Sequence, residues 1–202
     1  MSDTTTEHPM RHASDSAQLT VVTGSWFEAL CGAIGLVFAV VGMLGGDPPQ
    51  MAAIATIAVG FGVFAQAGTL AARTWRSSDR GDLVGITTDL IAGPVGVALG
   101  GFVLLQLVPF SWLPFAALAL GTALLFAGRA LLGDPKASTR WTAWWVAAMM
   151  LTALAALALA LLAVAAVQPS TMPSLAAAAC VGAGLMLAGG GAHAISHRTG
   201  SR

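Results

Sequence analysis

Residues 28–70 read EALCGAIGLVFAVVGMLGGDPPQMAAIATIAVGFGVFAQAGTL: an apolar run, a Gly/Pro turn, and a second apolar run coming back. The stretch recurs. Displaced by 61 residues, Glu28 falls on Asp89, Gly32 on Gly93, Gly35 on Gly96, Pro48 on Pro109 and Gly60 on Gly121. A further 61 carries Gly121 onto Gly182. A repeat of this length is one supersecondary unit that cannot bury its apolar faces alone, so the copies must pack on one another. They cover about residues 22–72, 83–133 and 142–195, each a single hairpin.

The totals place those hairpins in a membrane. The chain is 56% hydrophobic and 9% charged, with mean hydropathy +0.80, whereas soluble domains carry about 25% charged residues. Its 202 residues accommodate six spans of roughly 20 residues with short loops. Nine basic residues balance nine acidic ones, which argues against nucleic acid as a partner, since that needs a basic face. Cys31 and Cys180 both lie in apolar runs and imply no disulfide framework. Residues 1–18 are polar and aperiodic and read as a disordered cytoplasmic tail. No charged stretch leads into a short apolar one with a cleavage site, so the first span reads as an uncleaved anchor, and residues 19–202 as one membrane domain.

The spacing predicts spans over 22–44, 51–72, 83–107, 111–133, 142–167 and 174–195. Helices are required there because lipid leaves a backbone group no partner outside its own segment. Arg11, Arg73, Arg76, Arg80, Arg129, Lys136, Arg140, Arg198 and Arg202 all fall to one side, while the opposite connections GGDPPQ, LVPFSW and QPSTMPS carry no Lys or Arg. The positive-inside rule then puts both termini in the cytoplasm, and eight Arg against one Lys, the mark of a GC-rich genome, points to a bacterial inner membrane. Trp26, Trp112, Trp141, Trp144 and Trp145 sit near span ends, where indole rings anchor. Three hairpins of the same orientation predict a pseudo-threefold axis along the membrane normal. The bilayer itself is the expected partner, with a second copy or other membrane proteins as further candidates.

Glu28, Gly32 and Gly35 share one helical face, as do Asp89, Gly93 and Gly96. Small residues let helix backbones approach closely in lipid, so Gly32, Gly35, Gly60, Gly93, Gly96, Gly121 and Gly182 read as packing seams. Pro94 replaces Ala33 of the first copy and predicts a kink. The acids are the unusual chemistry. A charge at mid-membrane costs about 2.5–3.5 kcal/mol, less toward the interface, and it needs partners. Odd-numbered spans begin on the basic side and even-numbered spans end there. Glu28, Gln66, Asp89, Arg129 and His193 therefore form a candidate polar layer at one depth, with Met150 where a third acid would stand. Such a layer serves either as a proton-responsive or ion-conducting site, or as an Arg–carboxylate tie that fixes helix register. His193 and His197, four residues apart, could place two metal ligands on one face, but no Cys, Asp or Glu lies nearby in sequence, so no metal or cofactor is expected. No phosphate-binding glycine loop, His-Glu-x-x-His or nucleophile elbow is present, and an enzyme is not expected.

Trp26 followed by Gly32, Gly35 and Gly42, the turn at Pro48, and the returning Gly60 and Gly68 form a pattern. It recurs as Gly93/Gly96, Pro109 and Gly121/Gly128, and as Pro169 and Gly182/Gly189. This pattern resembles the HdeD family of acid-resistance membrane proteins over about residues 25–195, with an alanine-rich third copy as the departure. The resemblance implies a non-enzymatic inner-membrane protein of acid or envelope stress tolerance, with no catalytic residues to carry over. Two other functions fit the same residues: a proton-coupled transporter or channel along the threefold axis, and a structural subunit packed against a larger membrane complex.

Overall fold

A computed structural model of the chain describes residues 7–45, 47–74, 80–132, 140–165 and 171–199, with side-chain surroundings for 19, 21–45, 47–72, 83–126, 151, 154–165 and 171–195. The described chain is all-helical. Six long helices follow in order: α1 (Glu7–Leu44), α2 (Pro48–Thr74), α3 (Arg80–Leu104), α4 (Leu113–Leu132), α5 (Arg140–Ala165) and α6 (Met172–Thr199). A single 3-10 turn, Phe110–Trp112, leads into α4. Four stretches are long and apolar enough to cross a membrane: Val21–Leu44, Pro48–Ala72, Leu83–Leu104 and Met172–Ile195. In α4 and α5 the described apolar runs are Phe110–Phe126 and Leu154–Ala165.

Local chemistry explains where the helices stop. Gly45 follows α1 with φ of 129°, a backbone that a side chain would strain. After α3, the Leu107 N–H donates to the Phe102 carbonyl and the Gln106 N–H to that of Val103. This double closure turns the chain through a left-handed residue, here Gln106 with φ of 57°. α3 runs unbroken through Pro94, which lies on its exposed side. α1 begins at Glu7, so helix takes in most of the polar stretch whose composition reads as a disordered tail. Adding a residue to an existing helix is far less costly than nucleating one, and the apolar span supplies the nucleus.

The packing has two rings. α2, α4 and α6 touch one another in every pairing and form the centre. Around them α1 lies against α6 and α2, α3 against α2 and α4, and α5 against α4 and α6. The central axis is filled in layers. Ala52, Ala53, Leu113, Ala176 and Ala177 cluster toward the proline turns, and Val59, Val63, Leu120, Leu124 and Leu187 cluster at mid-height.

Burial follows the sequence repeat with two changes of register, both in the third copy. The buried positions from Ala52 to Val63 in α2 recur 61 residues on, from Leu113 to Leu124 in α4. They recur again 63 residues further, from Ala176 to Leu187 in α6. Gly60 and Gly121 are therefore matched by Gly184, while Gly182 is only half-buried. The difference arises in the connections. The buried face of α5 recurs 60 residues after that of α3, one fewer, and the last connection then adds three, a net two: Gly42 and Ala52 are ten residues apart, whereas the corresponding buried Ala163 and Ala176 are thirteen apart. Loop length is free to change while a packed face is not, so a constant displacement loses register across the last turn. In the peripheral helices, Glu28, Cys31, Gly32, Gly35 and Ala39 of α1 match Asp89, Ala92, Gly93, Gly96 and Gly100 of α3, all buried.

Candidate functional site: an acid and amide cluster closing the bundle axis

Two glycines on each acid-bearing helix set where the acid points. On α3, a side chain at Gly93 would run into Gly60 and Phe64 of α2, and one at Gly96 into Leu120 of α4. Asp89 stands one turn before the first and two before the second, so it looks between α2 and α4 toward the axis. On α1, Gly32 faces Gly184, Leu187 and Ala188 of α6, and Gly35 faces Val59 of α2. Glu28 therefore looks between α6 and α2, again toward the axis. Gln66 follows Val63, a member of the central core, by three residues on α2. The antiparallel contacts put it at their level: Gly24 meets Thr69, Gly62 meets Cys31, and Gly93 meets Phe64. Three oxygen-bearing side chains are thus buried toward one end of the bundle, the end at which α2 finishes after Arg73 and α3 begins at Arg80.

The cluster is enclosed. Asp89 is 0% exposed, Glu28 5% and Gln66 7%. Both Asp89 carboxylate oxygens and the Gln66 Oε1 are buried without a hydrogen-bond partner. Leaving one enclosed polar atom unsatisfied costs roughly 1–3 kcal/mol, and more for a charged group. Three such acceptors on neighbouring helices mark a place where the fold forgoes stability. Glu28 and Asp89 interact electrostatically across α2, and Glu28 also engages a further group. Buried hydroxyls frame the cluster: Ser25 Oγ donates to the Val21 carbonyl at 2.8 Å, and Thr69 Oγ1 to the Gln66 carbonyl at 2.9 Å. Both bonds are local to their helices, so neither hydroxyl hydrogen is spent on the carboxylates.

Of the five residues of the candidate layer, Glu28, Gln66 and Asp89 are buried at one end of the bundle, and Glu28 and Asp89 interact. His193 is half-buried and takes part in a further interaction. The side chains of Arg129, His197 and Met150, like those of Trp141, Trp144 and Trp145, lie outside the described residues. Among the described residues no group of three or more His, Cys, Asp or Glu could hold a metal ion. Thr87 and Thr88 bond back to their own helix, to Leu83 and to Val84 and Gly85. Trp26 and Trp112 are exposed on the flank. The two cysteines are free and buried.

One axial contact was not singled out by sequence reasoning. Thr56 Oγ1 lies 3.5 Å from Cys180 Sγ and donates to the Ala52 carbonyl at 2.7 Å, well above the acid cluster. Its signal was a lone hydroxyl in an apolar run at the repeat position where α4 has Ala117. Beside the cluster, α1 and α2 leave an open, mostly apolar groove of about 450 Å³ lined by Leu19, Thr23, Gly24, Phe27, Ala65, Gly68 and Thr69.

Comparison with known proteins adds no relative: no family model, no curated protein and no solved structure matches the chain.

Proposed function

We propose that the chain is an integral membrane protein of six spans, built as three tandem helical hairpins about a pseudo-threefold axis. In this reading it lies in a bacterial inner membrane with both termini cytoplasmic. It contributes to acid or envelope stress tolerance without enzymatic chemistry, in the manner of the HdeD-type proteins whose glycine and proline spacing it resembles. The matched burial of α2, α4 and α6 and the two-ring packing support the hairpins and their axis. Nine Lys and Arg on one side support the orientation.

The observation that carries the functional reading is the acid cluster at the closed end of a plugged axis. Glu28 and Asp89 are carboxyl groups enclosed between helices, so a proton gained or lost there alters the balance of forces among the three helices they look between. Leu120, Leu124, Leu187, Val59 and Val63, each at most 1% exposed, fill the axis beyond the acids. That plug leaves a sensor in contact with one side only, and it weighs against the rival reading of a proton-coupled transporter or channel. The enclosed Asp89 oxygens are what favours that rival. The outward leucines of α5, Leu151, Leu154, Leu161 and Leu162, favour the other reading, an accessory subunit with a face for a larger complex.

The test is survival of a deletion strain at low pH, complemented by the native chain or by Asp89→Asn. The native chain should restore survival after acid challenge, and the Asn variant, expressed at the same level, should not. Deletion cells that survive acid as well as wild type would sink the stress role. Proton flux into liposomes that disappears in Asp89→Asn would move the assignment to transport.

A further inference from the structure

We propose that Asp89, Gln66 and Glu28 hold one monovalent alkali cation at the basic end of the bundle axis. The inference rests on reading this cluster as the working part of the molecule, and it names what the cluster binds. The donor set is all oxygen: two from Asp89, the Oε1 of Gln66, and the neighbouring Glu28 carboxylate. Oxygen sets of this kind select hard cations over thiophilic or imidazole-seeking metals. Three of those oxygens are enclosed and unpartnered, and they come from α2 and α3, which pack directly on one another. The described hydroxyls of Ser25 and Thr69 do not serve them, since both donate to their own helix backbones. A bound cation satisfies all three acceptors at once, whereas a proton on Asp89 supplies a single donor.

Charge selects the valence. Of the two carboxylates only that of Asp89 is enclosed with neither oxygen partnered, so the charge to compensate is a single negative one. A divalent ion would leave net positive charge in an apolar core, which is costly.

The experiment is thermal unfolding of the full chain in detergent, with NaCl or KCl exchanged against choline chloride at constant ionic strength. A ligand that binds only the folded state raises the unfolding midpoint in a saturable way. The midpoint should rise with Na⁺ or K⁺, the apparent affinity should fall by about tenfold or more in Gln66→Leu, and the response should vanish in Asp89→Asn. The Asn variant should elute and show helical circular dichroism like the native chain, because it loses an unpaired charge and little volume. Broadening of the sodium NMR line by the native protein, reversed by excess K⁺, gives a reading that needs no variant. Overturning results are a midpoint indifferent to alkali cations, an equal response in Asp89→Asn, saturation by Ca²⁺ but not by Na⁺ or K⁺, or a response to pH alone in choline. The last assigns the site to a proton. Cation binding with a normal acid phenotype would defeat only the stress role, and the reverse pair of results would defeat only the cation.

Discussion

The α2/α3 and α1/α6 seams differ from the α4/α5 seam, although the repeat makes all three equivalent joints between neighbouring hairpins. At α2/α3 a methyl group on Gly60 would stand 2.8 Å from the Gly93 carbonyl oxygen, and one on Gly93 would stand 2.9 Å from that of Gly60. At α1/α6 a methyl on Gly184 would stand 2.8 Å from the Gly32 oxygen, and one on Gly32 would collide with the Ala188 backbone nitrogen. Backbone lies on backbone in both. At α4/α5, a methyl on Gly121 would meet Leu157 at 3.6 Å, an ordinary contact. The acids follow the same division. Glu28 and Asp89 stand one turn from the glycine that makes each close crossing, and α5 has a methionine in the corresponding region. Close backbone approach and buried acid occur together, because an enclosed carboxylate survives only where the helices beside it are held by packing that does not depend on it.

Substituting the seam glycines can break that contrast. The largest effect belongs to Gly93→Leu: the side chain has the Gly60 carbonyl and the backbone and Cβ of Phe64 in front of it, none of which can swing aside, so α3 must leave α2. Recovery of folded protein from membranes should collapse, and a well-folded Leu variant would remove the basis for the close seam. Next comes Gly32→Ala, where one methyl against the α6 backbone should destabilise by about 1–3 kcal/mol, as overpacking does, read as a lowered unfolding midpoint. The smallest effect is expected for Gly121→Ala. Space is available and alanine is the better helix former, so the change should stay within about 0.5 kcal/mol of zero or be mildly stabilising. Equal losses at Gly32 and Gly121 would show that the third joint is as tight as the others.

Much of this was legible in the residues. Glu28 and Asp89 were paired by the 61-residue displacement, and the structure buries both at matching positions. Gly32, Gly35, Gly93 and Gly96 were readable as one stripe, but a stripe does not say what it faces. In the bundle it is split: the first glycine of each pair faces the neighbouring hairpin's central helix, and the second faces the partner helix of its own hairpin. Gly184 was hidden behind Gly182, since nothing in an alanine-rich run marks a loop that has gained three residues. Gln66 could be placed at the right depth by counting, yet its aim at the axis follows from Val63 and Thr69 packing on different neighbours.

Hydropathy and the glycine and proline spacing determined the long apolar helices and where they end, because each of these is a property of a single segment. The tertiary structure decided which helices are central, that the axis is filled by Val59, Val63, Leu120, Leu124 and Leu187, and that Asp89 and Gln66 end there without donors. Those facts depend on distances between residues far apart in the chain, set by how closely two backbones approach. Only packed helices fix such distances.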